Sequence, residues 1–127
     1  MRSQPSQILN MSKTLELCEL QDIPDNDARG FSIDVTGAIR EIFIVRKEDE
    51  VYGYVNRCPH TGVNLDWQPH HFLSQDGIEI QCSTHGARFR IRDGFCTWGP
   101  CQGQSLTPVT ILLEVNRITM ITDPENE

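Results

Sequence analysis

The fold and the chemistry expected of this chain are decided by two short stretches, CPHTG at residues 58–62 and CSTHG at residues 82–86. Each offers one thiol and one imidazole from a single tight turn, in the patterns C-x-H and C-x-x-H. Each ends in a glycine, which permits a positive φ and lets the backbone approach an inorganic ligand closely. The sequence therefore predicts a metal centre whose ligands are Cys58, His60, Cys82 and His85.

Two kinds of metal centre use two cysteines and two histidines. Zinc takes all four ligands tetrahedrally, although the common zinc-finger order pairs Cys with Cys and His with His. Here each turn supplies one sulfur and one nitrogen, which suits a [2Fe–2S] cluster with both sulfurs on one iron and both nitrogens on the other. The residues alone leave zinc and iron–sulfur open, together with a buried Cys pair beside two incidental histidines.

The paired motifs resemble the two cluster-binding loops of the Rieske family, and Gly99-Pro100 resembles its third, proline-containing loop. The resemblance runs from about Leu15 to Ile121. It implies an all-β fold, with an antiparallel sandwich-like base and a small inserted rubredoxin-like lobe. The gap of twenty-one residues between His60 and Cys82 is longer than expected for small Rieske ferredoxins, and the extra length falls around residues 68–76.

The same resemblance implies one [2Fe–2S] cluster per chain, with Cys58 and Cys82 on the buried iron and His60 and His85 on the outer iron. The implied function is a one-electron carrier between a reductase and an oxygenase or other acceptor, with no catalytic residues of its own. Oxygenases of the family need a further iron held by two histidines and a carboxylate, and the 26 residues after Cys101 contain no histidine. The alternatives are a small subunit of a nitrite-reductase-like complex, a redox-sensing module and a structural zinc-binding interaction module.

Two positions predict a low reduction potential. High-potential members of the family carry a serine and a tyrosine that donate hydrogen bonds to cluster sulfurs, where this chain has Ala87 and Phe89. Those members also join the two loops by a disulfide, where this chain has Val63 and Thr84. A lost donor destabilises the more negative reduced cluster and so lowers its potential.

Short strand patterns separated by turns rich in glycine, proline and asparagine independently favour an antiparallel sandwich or barrel. A helical period is nowhere sustained over ten residues, and Pro69 interrupts the one possible turn within 66–73. Strands are predicted at 14–20, 39–47, 51–55, 78–82, 88–91, 109–115 and 117–122. We expect a single domain with a loose N-terminus at 1–12, a β base at 13–56 and 103–122, and a cluster-binding lobe at 57–102.

Length and charge argue against other classes. The 127 residues, 38% of them hydrophobic, suit one globular domain. A net charge of -7 without a clustered basic surface argues against nucleic-acid binding. The longest run of large apolar residues, 42–45, is far short of the ~20 that a spanning helix needs. With no secretory signal at the N-terminus, we expect a cytoplasmic protein whose partners are redox proteins, not nucleic acid or membrane.

The remaining cysteines are Cys18, Cys96 and Cys101. A reducing cytoplasm disfavours disulfides. We therefore expect Cys18 to be a small core residue, and Cys96 and Cys101 to be thiols packed beneath the third loop.

Four other side chains draw attention without forming a motif. His70 and His71 have no cysteine at ligand spacing and are expected to be exposed loop residues. Trp67 and Trp98 suit either shielding of the cluster or a place in the core.

Overall fold

The computed structural model of the chain describes residues 13–35, 37–59, 62–66, 68–83, 86–101 and 103–122. Strands and one 3-10 helix, Leu20–Asp22, make up its regular structure there. The strands are β1 (Lys13–Glu19), β2 (Asp27–Val35), β3 (Ala38–Lys47), β4 (Glu50–Val55), β5 (Glu79–Gln81), β6 (Arg88–Arg90), β7 (Cys96–Trp98), β8 (Pro108–Glu114) and β9 (Arg117–Thr122). The predicted all-β class is confirmed. Within the described residues, no helix is long and apolar enough to cross a membrane.

Six strands form the larger sheet, in the order β1-β9-β8-β4-β3-β2, with antiparallel neighbours throughout. Pairing across the middle of this sheet is short: Gly53 pairs with Val109 and Tyr54 with Pro108, and the Val55 amide donates to the carbonyl of Thr107. A side chain at Gly53 would place its Cβ 2.6 Å from Cγ1 of Ile111. Glycine therefore allows the two halves of the sheet to approach at this point.

The two halves pack face to face. Ile44 of β3 and Ile118 of β9 are fully buried in one apolar cluster, which Phe31 of β2 completes from the edge. Since β8 and β4 lie between β9 and β3 in the strand order, one buried cluster that contains residues of both requires the sheet to fold over on itself. This arrangement is the sandwich-like base that the sequence predicts.

A smaller sheet, β5-β6-β7, lies against the base. The rings of Phe72 and Phe43 stack between the two parts, with centroids 4.3 Å apart and planes 7° from parallel. A Cβ on Gly30 of β2 would come within 3.1 Å of the Phe72 ring, so glycine makes room for that ring. One buried cluster thus joins β3 to the small sheet.

The structure differs from the predicted strands in two places. The strand β2 is missing from the predicted strands, because Asp27, Arg29 and Gly30 weaken the pattern of its first half. Its second half does alternate, with Ile33 buried between the exposed Ser32 and Asp34. The strand β7 is also not among the predicted strands, because its buried Cys96 is followed by the exposed Thr97 and Trp98 and so shows no alternation of buried and exposed residues. The stretch 66–73 contains no helical turn among its described residues, and Leu73 forms a bridge to Ile80.

Candidate metal centre

The first motif forms a closed turn that starts at Cys58. The Cys58 amide donates to the carbonyl of Val63, and the Gly62 amide donates back to the carbonyl of Cys58, each over 2.7 Å. Gly62 has a φ of +80°, a conformation that residues with a Cβ adopt at a cost. The turn therefore depends on the glycine that ends the motif.

The second motif repeats the same pattern. The Cys82 amide donates to the carbonyl of Ala87 over 2.8 Å, and the Gly86 amide donates to the carbonyl of Cys82 over 3.0 Å. Gly86 has a φ of +71°. The two cysteines thus occupy equivalent positions in two equivalent turns, although their histidines come two residues later in the first turn and three in the second.

Among the described residues, a backbone hydrogen bond links the second turn to the segment that follows the first. The Ser83 amide donates to the carbonyl of Leu65 over 3.0 Å. Leu65 is in turn fixed by the buried side chain of Asn56, whose Oδ1 accepts the Leu65 amide over 2.8 Å and whose Nδ2 donates to Asp66 over 3.0 Å. Asn56 therefore positions the segment that brings the second turn next to the first. Motif spacing alone does not identify this residue.

Both cysteines are buried in a largely apolar environment. Cys58 and Cys82 are each 1% exposed and belong to the same cluster as Ala87 and Phe89. Two thiols on paired turns, both within one apolar group of side chains, fit the two sulfur ligands of one iron in a [2Fe–2S] centre. Such ligands are protected from solvent and oxidation by burial. The residues present therefore fit the cofactor that the motifs imply.

The two predicted histidine ligands, His60 and His85, lie outside the described residues, as does Trp67. Within the described part of the chain, no three His, Cys, Asp or Glu side chains group as a metal site. The four-residue ligand set therefore stays a prediction, of which the structure places the two sulfurs.

The third loop covers the second turn. A Cβ on Gly99 would lie 2.9 Å from Cα of Ala87, so only a glycine lets the loop approach so closely. The ring of Trp98 lies 3.7 Å from the position of a Cβ on Gly86, and the Trp98 residue is 59% exposed. Trp98 is therefore a surface residue beside the second turn and not part of the core.

The expected thiols of Cys96 and Cys101 are a wrong prediction, because the two residues form a disulfide. The intervening turn brings their Cα atoms to 6.0 Å, within the range that a disulfide spans. Both residues are buried in the cluster that contains Cys58 and Cys82. In the sequence, the separation of five residues across a turn is compatible with a disulfide, but a reducing compartment favours thiols.

The other predicted residues behave mostly as expected. Cys18 is half-buried at the edge of the base core, and burial, followed by the charge of Asp22, raises the pKa of its thiol. His70 and His71 are exposed. Nδ1 of His70 also accepts the amide of Gly30 over 3.0 Å, a contact between the long linker and β2.

Two polar groups stabilise the hairpin between β6 and β7. The buried hydroxyl of Tyr54 donates to the carbonyl of Ile91 over 2.5 Å, and desolvation by burial raises its pKa to about 12. Asp93 accepts two hydrogen bonds from Arg90 and one from the amide of Phe95. The Arg90 bonds, foremost, lower the pKa of Asp93 to about 2, so this carboxylate is ionised at neutral pH.

Comparison with known proteins bears directly on this centre. The family model of the Rieske [2Fe-2S] domain matches residues 13–117. The ferredoxin of carbazole 1,9a-dioxygenase from Nocardioides aromaticivorans IC177 has a similar structure, with a TM-score of 0.66 and 25% identity over 85% of this chain and 96% of that one. The Sphingomonas yanoikuyae B1 ferredoxin is similar with a TM-score of 0.65 and 22% identity, over 87% of this chain and 99% of that one.

A larger protein contains a similar domain. The terminal oxygenase of carbazole 1,9a-dioxygenase from Novosphingobium sp. KA1 has a TM-score of 0.64 and 16% identity, over 84% of this chain but only 29% of that one. A search of curated proteins finds no match to this sequence. At these identities the Sphingomonas ferredoxin and the oxygenase show a shared fold and nothing further.

Proposed function

Since the chain belongs to the Rieske [2Fe-2S] domain family, we propose that it is a one-electron carrier that takes electrons from a reductase and passes them to an oxygenase or another acceptor. The observation that supports this most is the pair of equivalent turns in which the side chains of Cys58 and Cys82 are buried. The ferredoxin from Nocardioides, similar over nearly its whole length, is named as the ferredoxin of a dioxygenase.

In this proposal Cys58 and Cys82 bind one iron of the cluster, and His60 and His85 bind the other. When bound, the cluster supplies the one-electron couple, and the chain supplies its ligands, its shielding and a docking surface. Residues 57–102 serve as the cluster-binding lobe and the remaining strands as the base, in a single domain. The buried apolar contacts of both cysteines support a carrier that protects its centre from solvent.

We further propose that the chain works in the cytoplasm as a separate component of an oxidoreductase system and has no catalytic residues of its own. In this proposal the reductase and the acceptor dock in turn on the side of the centre where His60 and His85 bind the outer iron. The Nocardioides protein, of which the match covers 96%, is named as a ferredoxin and supports the carrier role.

Metal analysis and spectroscopy test the ligand set. The purified chain should contain about two irons and two sulfides per molecule and show a Rieske electron paramagnetic resonance signal after reduction. His60→Ala and His85→Ala should each abolish that signal. His70→Ala and His71→Ala are the matched controls, since both histidines are exposed outside the motifs, and each should retain the signal. One zinc per chain and no iron would instead establish the structural zinc module.

Transfer assays test the carrier role. Reduced protein should pass one electron per chain to a dioxygenase, and a nicotinamide-linked reductase should reduce it in turn. A chain that binds the cluster yet exchanges no electrons with either class of protein would favour the redox-sensing module.

A further inference from the structure

We propose that Cys96 and Cys101 form a reversible dithiol–disulfide site that controls how firmly the third loop, residues 97–100, covers the second cluster turn. The site itself is independent of the proposed function, whereas its effect on the cluster rests on that function. The site takes two electrons from a protein or small-molecule dithiol, in contrast to the one-electron couple of the cluster.

The disulfide encloses the third loop at its base. Cys96 begins β7, and Cys101 follows the turn, five residues later. The Cys96 amide donates to the carbonyl of Gln104, and the Gln104 amide donates to the carbonyl of Cys101, each over 2.9 Å. These hydrogen bonds hold the two ends of the loop near Gln104, and the disulfide joins the end of the loop at Cys101 to the start of β7 at Cys96.

The third loop reaches the second cluster turn through Ala87, which contacts the loop on one side and Cys82 on the other. Gly99 lies directly on Ala87, where a Cβ would come within 2.9 Å of the Ala87 Cα. The carbonyl of Ala87 accepts the amide of Cys82. A loop that lifts from Ala87 therefore uncovers the residue whose backbone closes the turn of a predicted cluster ligand.

The location of the two sulfurs strengthens this connection. Cys96 is 2% exposed and Cys101 is fully buried, and both belong to the apolar cluster that holds Cys58 and Cys82. Opening the disulfide replaces one covalent bond with two thiols in that cluster and removes the closure of the short loop. The loop then gains conformational freedom at the place where it shields the centre.

The chemistry balances with a dithiol reductant. One thiolate of the reductant attacks a disulfide sulfur, the second thiolate resolves the mixed disulfide, and the reductant leaves as its own disulfide. Two electrons and two protons end on Cys96 and Cys101 as thiols. In a compartment controlled by dithiols the pair opens, and under oxidising conditions it closes and secures the loop over the centre.

Thiol counting by alkylation and mass spectrometry tests the site in the intact, cluster-bound protein. Before reduction, Cys18 should be the one cysteine alkylated, since Cys58 and Cys82 hold the cluster and Cys96 and Cys101 are joined. After treatment with dithiothreitol, Cys96 and Cys101 should be alkylated as well. Alkylation of both before any reductant is added, in protein purified under air, would overturn the disulfide.

The consequence for the loop is measured in two ways. Dithiothreitol should accelerate loss of the visible cluster absorbance about threefold, since the shielding of a cluster depends on the protein around it. Amide exchange at Cys82 and Cys96 should accelerate about tenfold, as expected for a local opening. Amide exchange can also be measured on protein without iron. A failure to bind iron would therefore count against the proposed function, while the exchange rates would still test the disulfide site.

Variants distinguish the effect of opening the disulfide from other effects of dithiothreitol on the cluster. Cys96→Ala/Cys101→Ala should lose cluster absorbance at the rate of reduced wild type and should no longer respond to dithiothreitol. Cys18→Ala is the control, outside the lobe, and should keep the full response. Equal rates of cluster loss and amide exchange in oxidised and reduced wild type would overturn the proposal, even if the double variant does not fold.

Discussion

Ala87 accepts the amide of Cys82 and lies against Gly99, so its side chain is directly beside the second cluster turn. It is 1% exposed, and it has no hydroxyl with which to donate a hydrogen bond. Phe89, fully buried in the same cluster, also has no donor. At the scale of single residues, these two side chains leave the centre in an apolar environment, which supports the predicted low potential.

Ala87→Ser should raise the reduction potential. A hydrogen bond to a charged acceptor contributes about 1.5–3 kcal/mol, and we take half of this as the difference between the two redox states. At roughly 59 mV per 1.4 kcal/mol, the shift is on the order of 50 mV. Voltammetry measures it, and Ala28→Ser, a buried alanine on β2, is the control and should leave the potential unchanged. The wild-type potential should lie below zero, and a value above about +100 mV would contradict the assignment.

Substitutions at Gly99 and Gly103 distinguish the cost of backbone strain from the cost of a steric clash. Both have a positive φ, +107° and +86°, but a Cβ on Gly103 would meet nothing within 4 Å, whereas one on Gly99 would meet the backbone of Ala87. Gly103→Ala should destabilise the protein by about 1–2 kcal/mol, the cost of a left-handed conformation. Gly99→Ala should destabilise it further and accelerate cluster loss, because the loop must move away from Ala87. Denaturant unfolding measures both, and equal effects would exclude a tight contact at Gly99.

At the scale of elements, the linker before β5 attaches the small sheet to the base. Phe72 stacks on Phe43 of β3 in the space left by Gly30, and Leu73 bridges to Ile80 of β5. Phe72 and Leu73 of this linker therefore form a packed attachment between the two sheets.

Phe72→Ala should destabilise the protein by about 3–5 kcal/mol, because it removes a fully buried ring and leaves a cavity between the two sheets. Phe95→Ala, in the turn between β6 and β7, is the control. Phe95 is 39% exposed and contacts the guanidinium of Arg90, so its removal should cost less than about 1 kcal/mol. Thermal and denaturant unfolding compare the two variants, and similar losses would show that Phe72 does not attach the lobe to the base.

At the scale of the whole molecule, charge is unevenly distributed. Residues 57–102 have no net charge, so the total of -7 is carried by the rest of the chain. The charged residues of that lobe are the basic Arg57, Arg88, Arg90 and Arg92 and the acidic Asp66, Asp76, Glu79 and Asp93. The neutral lobe is suited to short-range docking, and the acidic base provides long-range attraction to a basic partner.

The rate of electron transfer to a basic partner should therefore fall as ionic strength rises. Asp49→Asn/Glu114→Gln neutralises two exposed acidic residues of the base and should lower the association rate at low salt, with little effect at high salt. Stopped-flow mixing with the reductase measures this. A rate that does not depend on salt would rule out electrostatic steering.

The sequence by itself determined the class of fold and the two motifs at Cys58 and Cys82. Metal chemistry demands particular donor atoms at short spacing, and a glycine four residues after each cysteine marks the turn that presents them. Alternating strands of the base were also evident, because burial on one face leaves a local period of two residues.

Only the tertiary structure decided the features that depend on contacts distant in sequence. The edge strand β2 is defined by its pairing with β3, and Phe72 reaches the base because Gly30 makes room for it. The Cys96–Cys101 disulfide likewise depends on how a turn brings two Cα atoms to 6.0 Å. A local sequence pattern does not determine such distances. Strand pairing, ring stacking and disulfide formation depend on the positions of atoms in space and not on their order along the chain.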